Sequence, residues 1–296
     1  MPADEPRANL SWPAKLRELL LGVQHDKQPH NDDDDAELLR TESAARSVTG
    51  GRRDNQDACY CDDEAAMYVV VDGLGGQDGG ALASRIAADT IPAHLRETFS
   101  HGTDDPEQLQ LGLEAALRAA QNEMRAVGRK NPEFDKMGCT LAVAVVADGK
   151  LFFTHVGDSR IYLFHDKKIK QLTTDESLVQ ALMSAGVITA DEVPKHHWRH
   201  VVTNSLSAKG VRETPHWHQQ TLHEGDELLV TSDGLTDELS DTDIADRLAA
   251  MDDPKDCVEA LIQDALSRQA RDNVTCVVAK LVPQCPQHTN SDTADS

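Results

Sequence analysis

Aspartates in this chain recur at the ends of apolar runs. RRDNQD at 52–57, VVDGLGG at 70–76, TSDGLTD at 231–237 and RDN at 271–273 are four short acidic patches far apart in sequence. The apolar run 68–71 leads into Asp72, 228–230 leads up to Asp233, and Asp272 runs into 274–279. Such runs read as buried strands, which puts each carboxylate at the rim of a core, where an uncompensated charge is costly. Several of them brought together are most simply explained by divalent cations between them. Gly73 after Asp72 lets the backbone turn sharply, so that its own carbonyl can face the same cation; Asp233-Gly234 repeats the device. Oxygen-only ligands select hard ions, Mg²⁺ or Mn²⁺, over Zn²⁺. Two such ions sharing a carboxylate would hold a water between them and lower its pKa, giving a hydroxide nucleophile. Arg52 or Arg53 offers a planar fork for two phosphate oxygens, which makes phosphoester hydrolysis the matching chemistry. A Ser or Cys nucleophile is not required, and an acidic site disfavours a thiolate.

The elements that must position these groups follow from apolar periodicity. Strand-like runs fall at 67–71, 141–147, 151–156, 161–164, 228–231 and 274–281, and helix-like runs at 84–99, 109–127, 177–185 and 258–267. Leu109, Leu113, Ala116, Leu117, Ala120, Met124 and Val127 hold one stripe at helical spacing. Asp148-Gly149 between two apolar runs is a hairpin signal, so its flanking strands should be antiparallel neighbours. Hairpins interrupted by two long helices indicate an α+β fold with mostly antiparallel sheets covered by helices. Residues 1–45 read as an N-terminal extension. A short amphipathic helix over 10–21 gives way there to a polar stretch ending in NDDDD, a self-repelling, solvated run. The segment could serve as a docking arm. The body then spans 46–282, and the polar tail 283–296 is expected to be disordered.

At 296 residues with a net charge of −22, the chain can bury a large core, and its acidic surface disfavours nucleic acid and anionic membrane. The sequence contains neither an apolar run of spanning length nor a signal-peptide h-region. The six cysteines lack CxxC spacing and read as reduced, mostly buried small hydrophobes of a cytoplasmic protein.

Taken in order, RRDNQD, VVDGLGG, Gly138-Cys139-Thr140, VGDSR, LTTDESLV, LVTSDGLTD and RDNVT resemble the metal-dependent type 2C protein serine/threonine phosphatases in their bacterial form, over roughly 45–282. Each motif is weak alone; the ordered set is specific. The resemblance implies a four-layer α-β-β-α sandwich with the metals at one end. By motif, Asp72 would bridge two cations, the Gly73 carbonyl would ligate one, and Asp233 and Asp272 would complete the first site. Asp158, with Asp233, would hold a third, so two or three Mn²⁺ or Mg²⁺ ions per chain are expected. Arg52 matches the phosphate-binding arginine, and Gln56, Asp57 and Asn273 would support the ligands from behind. The implied reaction is attack of the hydroxide between two metals on phosphoserine or phosphothreonine, with phosphoprotein substrates and a cognate Ser/Thr kinase as partners. There are two departures. Leu74 stands where some members carry a histidine proposed as general acid, and Gln56 stands where many have glutamate.

Other features have blander readings. Any one Asp-Gly could be a turn or cap. Asp158 could form a surface pair with Arg160. Gly157-Asp158-Ser159 resembles an esterase nucleophile motif, but it is mid-chain and has no late Asp-x-x-His partner. Gly75, Gly76, Gly79 and Gly80 lack GxGxxG spacing and read as room for a ligand. His196, His197, His200, His216 and His218 include an i, i+4 pair, yet they lack the HExxH glutamate and fit a mobile flap over 176–211 better than a zinc site. The rival to an enzyme is a silent phosphoprotein-binding relative, which loss of a metal aspartate would signal. All of those aspartates are present.

Overall fold

A computed structural model describes residues 39–75, 77–100 and 105–284. The expected helix over 10–21, the NDDDD run and most of the C-terminal tail lie outside them.

Among the described residues, two antiparallel sheets stack face to face. The first has five strands in the order β1 (Leu39–Val48), β12 (Val274–Pro283), β11 (Glu227–Thr231), β7 (Arg160–His165) and β8 (Lys168–Gln171). The second has seven. Its path runs β10 (His218–Thr221), β6 (Lys150–Val156), β5 (Leu141–Ala147), β3 (Met67–Leu74), β4 (Gly138–Cys139) and β9 (Leu206–Ser207), with β2 (Asp57–Asp62) paired to β3. The Asp148-Gly149 turn closes the β5–β6 hairpin as its dipeptide demands, both residues having positive φ.

Period-2 alternation divides the strands between layers. Met67, Val69 and Val71 of β3 face outward onto α1 (Gln77–Ser100) and α2 (Pro106–Lys130), together with Leu141, Val143 and Val145 of β5. Tyr68, Val70, Ala142 and Ala144 face inward, meeting Leu228, Val230, Val277 and Ala279 from the other sheet. The alternate residues Leu229, Cys276 and Val278 pack under α5 (Asp241–Ala250) and α6 (Pro254–Ser267). The layering is therefore α-β-β-α, as expected. The α2 stripe Leu109, Leu113, Ala116, Leu117, Ala120 and Met124 is buried. Its helix begins at Pro106 after an Asp105 cap, whose carboxylate accepts the Glu107 N–H.

Two expectations need correction, and one helix was not foreseen. The boundary at residue 45 falls inside β1, which pairs with β12 from Leu39↔Pro283 to Val48↔Val274. Its sequence, LRTESAARSV, mixes polar and small residues because it is an outer strand, bonded on one side. The helix α5 had no apolar run to signal it; a Ser240 capping box starts it. Gly79 and Gly80 belong to the first turns of α1 and do not leave room for a ligand. A Cβ on Gly73 would lie 2.2 Å from the Gly80 carbonyl oxygen, so this pair of glycines lets the helix press against β3. The cysteines meet expectation among the described residues: Cys139, Cys257 and Cys276 are buried and free, and Cys59 and Cys61 are half-buried and free.

Candidate metal and phosphate site

At one end of the stacked sheets, strand termini and the 49–56 turn surround a cavity of about 350 Å³. Arg52, Arg53, Asp54, Gln56, Asp72, Gly73, Asp158, Asp233 and Asp272 line it. Asp57 and Asn273 stand behind. All nine residues singled out from sequence therefore converge on one place.

Each carboxylate is held by an identifiable local device. Asp72 lies within β3, directly opposite Asp57 of β2 in the ladder. Its N–H donates to Thr140 Oγ1 (3.1 Å), and the Thr140 hydroxyl meets Ser159 Oγ at 2.7 Å. Asp57 Oδ2 accepts from Ser232 Oγ at 2.8 Å, and Ser232 Oγ in turn accepts the Thr275 N–H. Asp233 opens the short helix α4 (Asp233–Thr236) at the end of β11. A Cβ on Gly234 would fall 1.9 Å from the Asn273 carbonyl oxygen, so glycine is required where that turn crosses the start of β12.

Asn273 is the hub of the 49–56 turn. Its Oδ1 accepts the Gln56 N–H at 2.8 Å, and its Nδ2 donates to the Thr49 and Asp54 carbonyls at 2.8 and 3.0 Å. Its own N–H donates to Asp272 Oδ1 at 2.8 Å, fixing that carboxylate. Arg52 Nη2 donates to the other oxygen of Asp272 at 2.5 Å.

The carboxyls crowd one another in a buried setting, an environment that favours positive charge among them. Burial first, then Asp233, Asp57, Asp158 and Asp272, holds the Asp72 carboxyl well above the usual range. Burial followed by Asp158, Asp237, Asp272 and Asp57 does the same to Asp233. Burial pushes Asp158 up to about 7, with Asp175 adding to it, and Asp57 up to about 6. Asp233 Oδ1 is buried without a hydrogen-bond partner. An orphaned, buried carboxylate oxygen in a cavity that three further aspartates and Gly73 also line is a donor set that suits a hard divalent cation. The residues present thus fit the group.

Other neighbours were not legible from sequence. The alternative reading of Asp158, a surface pair with Arg160, is not what the structure shows. Arg160 instead donates two bonds to Asp175, Nε to Oδ1 at 2.8 Å and Nη2 to Oδ2 at 2.7 Å, leaving Asp158 buried beside the cavity. Glu176 accepts the Gly157 N–H at 2.7 Å, tying the flap base to the Asp158 loop. The segment beyond contains α3 (Leu178–Ser184) and is closed by bonds from the Leu178 N–H to the Val201 carbonyl and from the Thr203 N–H to the Glu176 carbonyl. Of its histidines, His200 lines the cavity, with Nδ1 3.5 Å from Asp237 Oδ2. His196 and His197 stack on each other, while His218 of β10 stacks on Phe153 of β6, so the five do not assemble as a zinc site. Asp237 is the acidic neighbour that sequence reasoning passed over, although it closes the TSDGLTD motif.

A family model described as protein phosphatase 2C matches residues 49–273, and the chain belongs to that family. It is 34% identical over 240 residues to the serine/threonine protein phosphatase PstP of Mycobacterium tuberculosis, an alignment covering 81% of this chain and 45% of the relative. This chain therefore spans under half the length of that protein. Protein phosphatase PhpP of Streptococcus pneumoniae is 31% identical over 229 residues, covering 73% of this chain and 85% of the relative. Among solved structures, the PstP catalytic domain in complex with two manganese ions superposes with a TM-score of 0.72 at 33% identity, covering 83% of this chain and 100% of that one. Stp1 of Staphylococcus aureus gives 0.71 at 29%, covering 85% and 99%.

Proposed function

We propose that this chain is a Mn²⁺- or Mg²⁺-dependent protein serine/threonine phosphatase. The observation that carries the reading is the buried, partnerless Asp233 Oδ1 at the centre of four convergent aspartates beside an arginine. Asp72, the Gly73 carbonyl, Asp233 and Asp272 would hold two cations, and Asp158 with Asp233 a third. When bound, the cations supply Lewis acidity to phosphate oxygens and activate water between them. Family membership and the manganese complex of the PstP domain support this assignment.

The chain's own groups do the rest. The 49–56 turn, pinned by Asn273, presents Arg52 to the cavity, where its fork can hold two phosphate oxygens. Asp57 and Thr140 hold β3 in register, the position from which Asp72 and the Gly73 carbonyl would ligate the cations. The flap from Glu176 to Thr203 covers one side, where a phosphorylated protein segment would lie. Substrates are then phosphoproteins, and a Ser/Thr kinase supplies the opposing reaction in the same, cytoplasmic, compartment. Among the described residues, no helix is long and apolar enough to cross a membrane.

The test is phosphate release from a phosphothreonine peptide by metal-stripped protein with Mn²⁺, with Mg²⁺, or with excess EDTA. Release only with added cation is expected. Equal release in EDTA would overturn the metal-dependent reading, and no release with either cation would leave a phosphoprotein-binding module in its place.

A further inference from the structure

The opposite end of the five-stranded sheet holds a second cluster of ligating side chains. β11 runs from Glu227 to Thr231, with the cavity beyond Thr231, while Asp226 precedes the strand at its other end. The Asp226 side chain is 2% exposed. Its ionic partners among the described residues are two exposed imidazoles, neither a permanent cation: His165 Nδ1 at 2.5 Å from Oδ1 and His223 Nδ1 at 3.7 Å from Oδ2. Donor atoms of all three lie within 4.8 Å of one another. A buried carboxylate without Lys or Arg is left short of positive charge.

The three residues come from two segments made rigid by their backbones. His165 ends β7 and enters a tight turn in which Asp166 and Lys167 are both left-handed. His223 and Asp226 flank Gly225, also left-handed, and the His223 N–H donates to Asp226 Oδ2 at 2.8 Å. The Gly225 N–H donates to the Leu281 carbonyl, and the Leu281 N–H to the Asp226 carbonyl, which pins the loop to β12. The imidazole centroids are 5.2 Å apart. A tetrahedral ion with bonds near 2.0–2.2 Å places its donors roughly 3–3.5 Å apart, and the observed separations bracket that spacing.

We propose that His165, His223 and Asp226 form a second metal site, selective for a borderline transition ion such as Zn²⁺ or Co²⁺. Two imidazoles and one carboxylate favour such an ion, whereas the cavity, with four aspartates and the single imidazole of His200, favours Mg²⁺ and Mn²⁺. The ion would displace the proton shared by His165 and Asp226 and clamp the β7–β8 turn to the loop before β11. Three protein ligands leave one tetrahedral position for water, and the effect of the ion would be to tie the two segments together.

The test is Co²⁺ titration of the full chain in excess Mg²⁺, which competes for the aspartate-lined cavity, read by visible absorption and by melting temperature. Imidazole-bound Co²⁺ bands should develop and the melting temperature should rise. His165→Ala and His223→Ala, both at exposed positions, should each weaken binding by at least roughly tenfold, the scale on which even outer partners of a metal act. Asp72→Asn and His200→Ala should leave the bands unchanged. Bands that persist in both histidine variants, bands lost with Asp72→Asn or His200→Ala, or no bands at all would each overturn the proposal.

Discussion

Arg52 and Asp272, 220 positions apart in the chain, meet through a 2.5 Å bond from Nη2 to Oδ2. The arginine that would grip phosphate thus rests on a carboxylate that would bind metal. Asp272 keeps its other oxygen on the Asn273 N–H, so its orientation survives when Arg52 turns to a ligand.

Replacing Arg52 should therefore harm phosphate capture more than metal binding. A hydrogen bond to a charged group is worth about 1.5–3 kcal/mol, so Arg52→Ala should raise the phosphopeptide KM roughly 10- to 100-fold. Steady-state kinetics, with the Mn²⁺ affinity measured alongside, check this. An unchanged KM would assign the role to Arg53 or to the cations alone.

Thr140 supports Asp72 from behind through its Oγ1, the acceptor of the Asp72 N–H, and its contact with Ser159. Thr140→Val keeps the shape and removes the acceptor, stranding two buried partners. A loss of about 1–3 kcal/mol in unfolding free energy is expected, with weaker Mn²⁺ binding. Urea denaturation and metal titration would show both.

The Arg160–Asp175 pair predicts a larger effect on stability. Both side chains are largely buried, and removing one partner of such a pair costs about 3–5 kcal/mol. Asp175→Asn should fall in that range by urea denaturation. A change within ~0.5 kcal/mol, usual for surface positions, would contradict the assigned pairing.

Once cations are chelated, pH should act in an unusual direction for carboxylates. Burial raises Asp57 to about 6 and Asp158 to about 7 from an ordinary 3.8, so between those values the folded chain holds protons that the unfolded chain releases. Their stabilising contribution is full below the ordinary value and is lost as pH climbs through about 6 to 7. The melting temperature of the chelated protein should fall from pH 5 to pH 8. Asp57→Asn should reduce that fall, and Mn²⁺ should reverse it. A variant with the same pH profile as the parent would refute the contribution of Asp57.

Asp72, Asp233 and Asp272 were legible because an aspartate at the edge of an apolar run beside glycine or asparagine is a local pattern, and the helix stripes and hairpin turn were legible for the same reason; Asp158 entered only through the family resemblance. What sequence did not reveal depends on partners elsewhere in the fold. The strand β1 looks polar because it is an outer strand, half-covered by its neighbours. The Arg160–Asp175 fork, the Glu176 tie and the approach of His200 to Asp237 exist only once the flap folds back over the Asp158 loop. His165 and His223 carry no motif, and only the β7–β11 register brings His165 beside Asp226.

The most direct measurement is anomalous diffraction at the manganese edge from crystals soaked in Mn²⁺, for the parent chain and for Asp72→Asn. Peaks within bonding distance of Asp72, Asp233 and Asp272 in the parent, with at least one lost in the variant alongside phosphopeptide hydrolysis, are expected. A cavity without manganese peaks, or full hydrolysis by Asp72→Asn, would contradict the assignment of these carboxylates as the catalytic metal site.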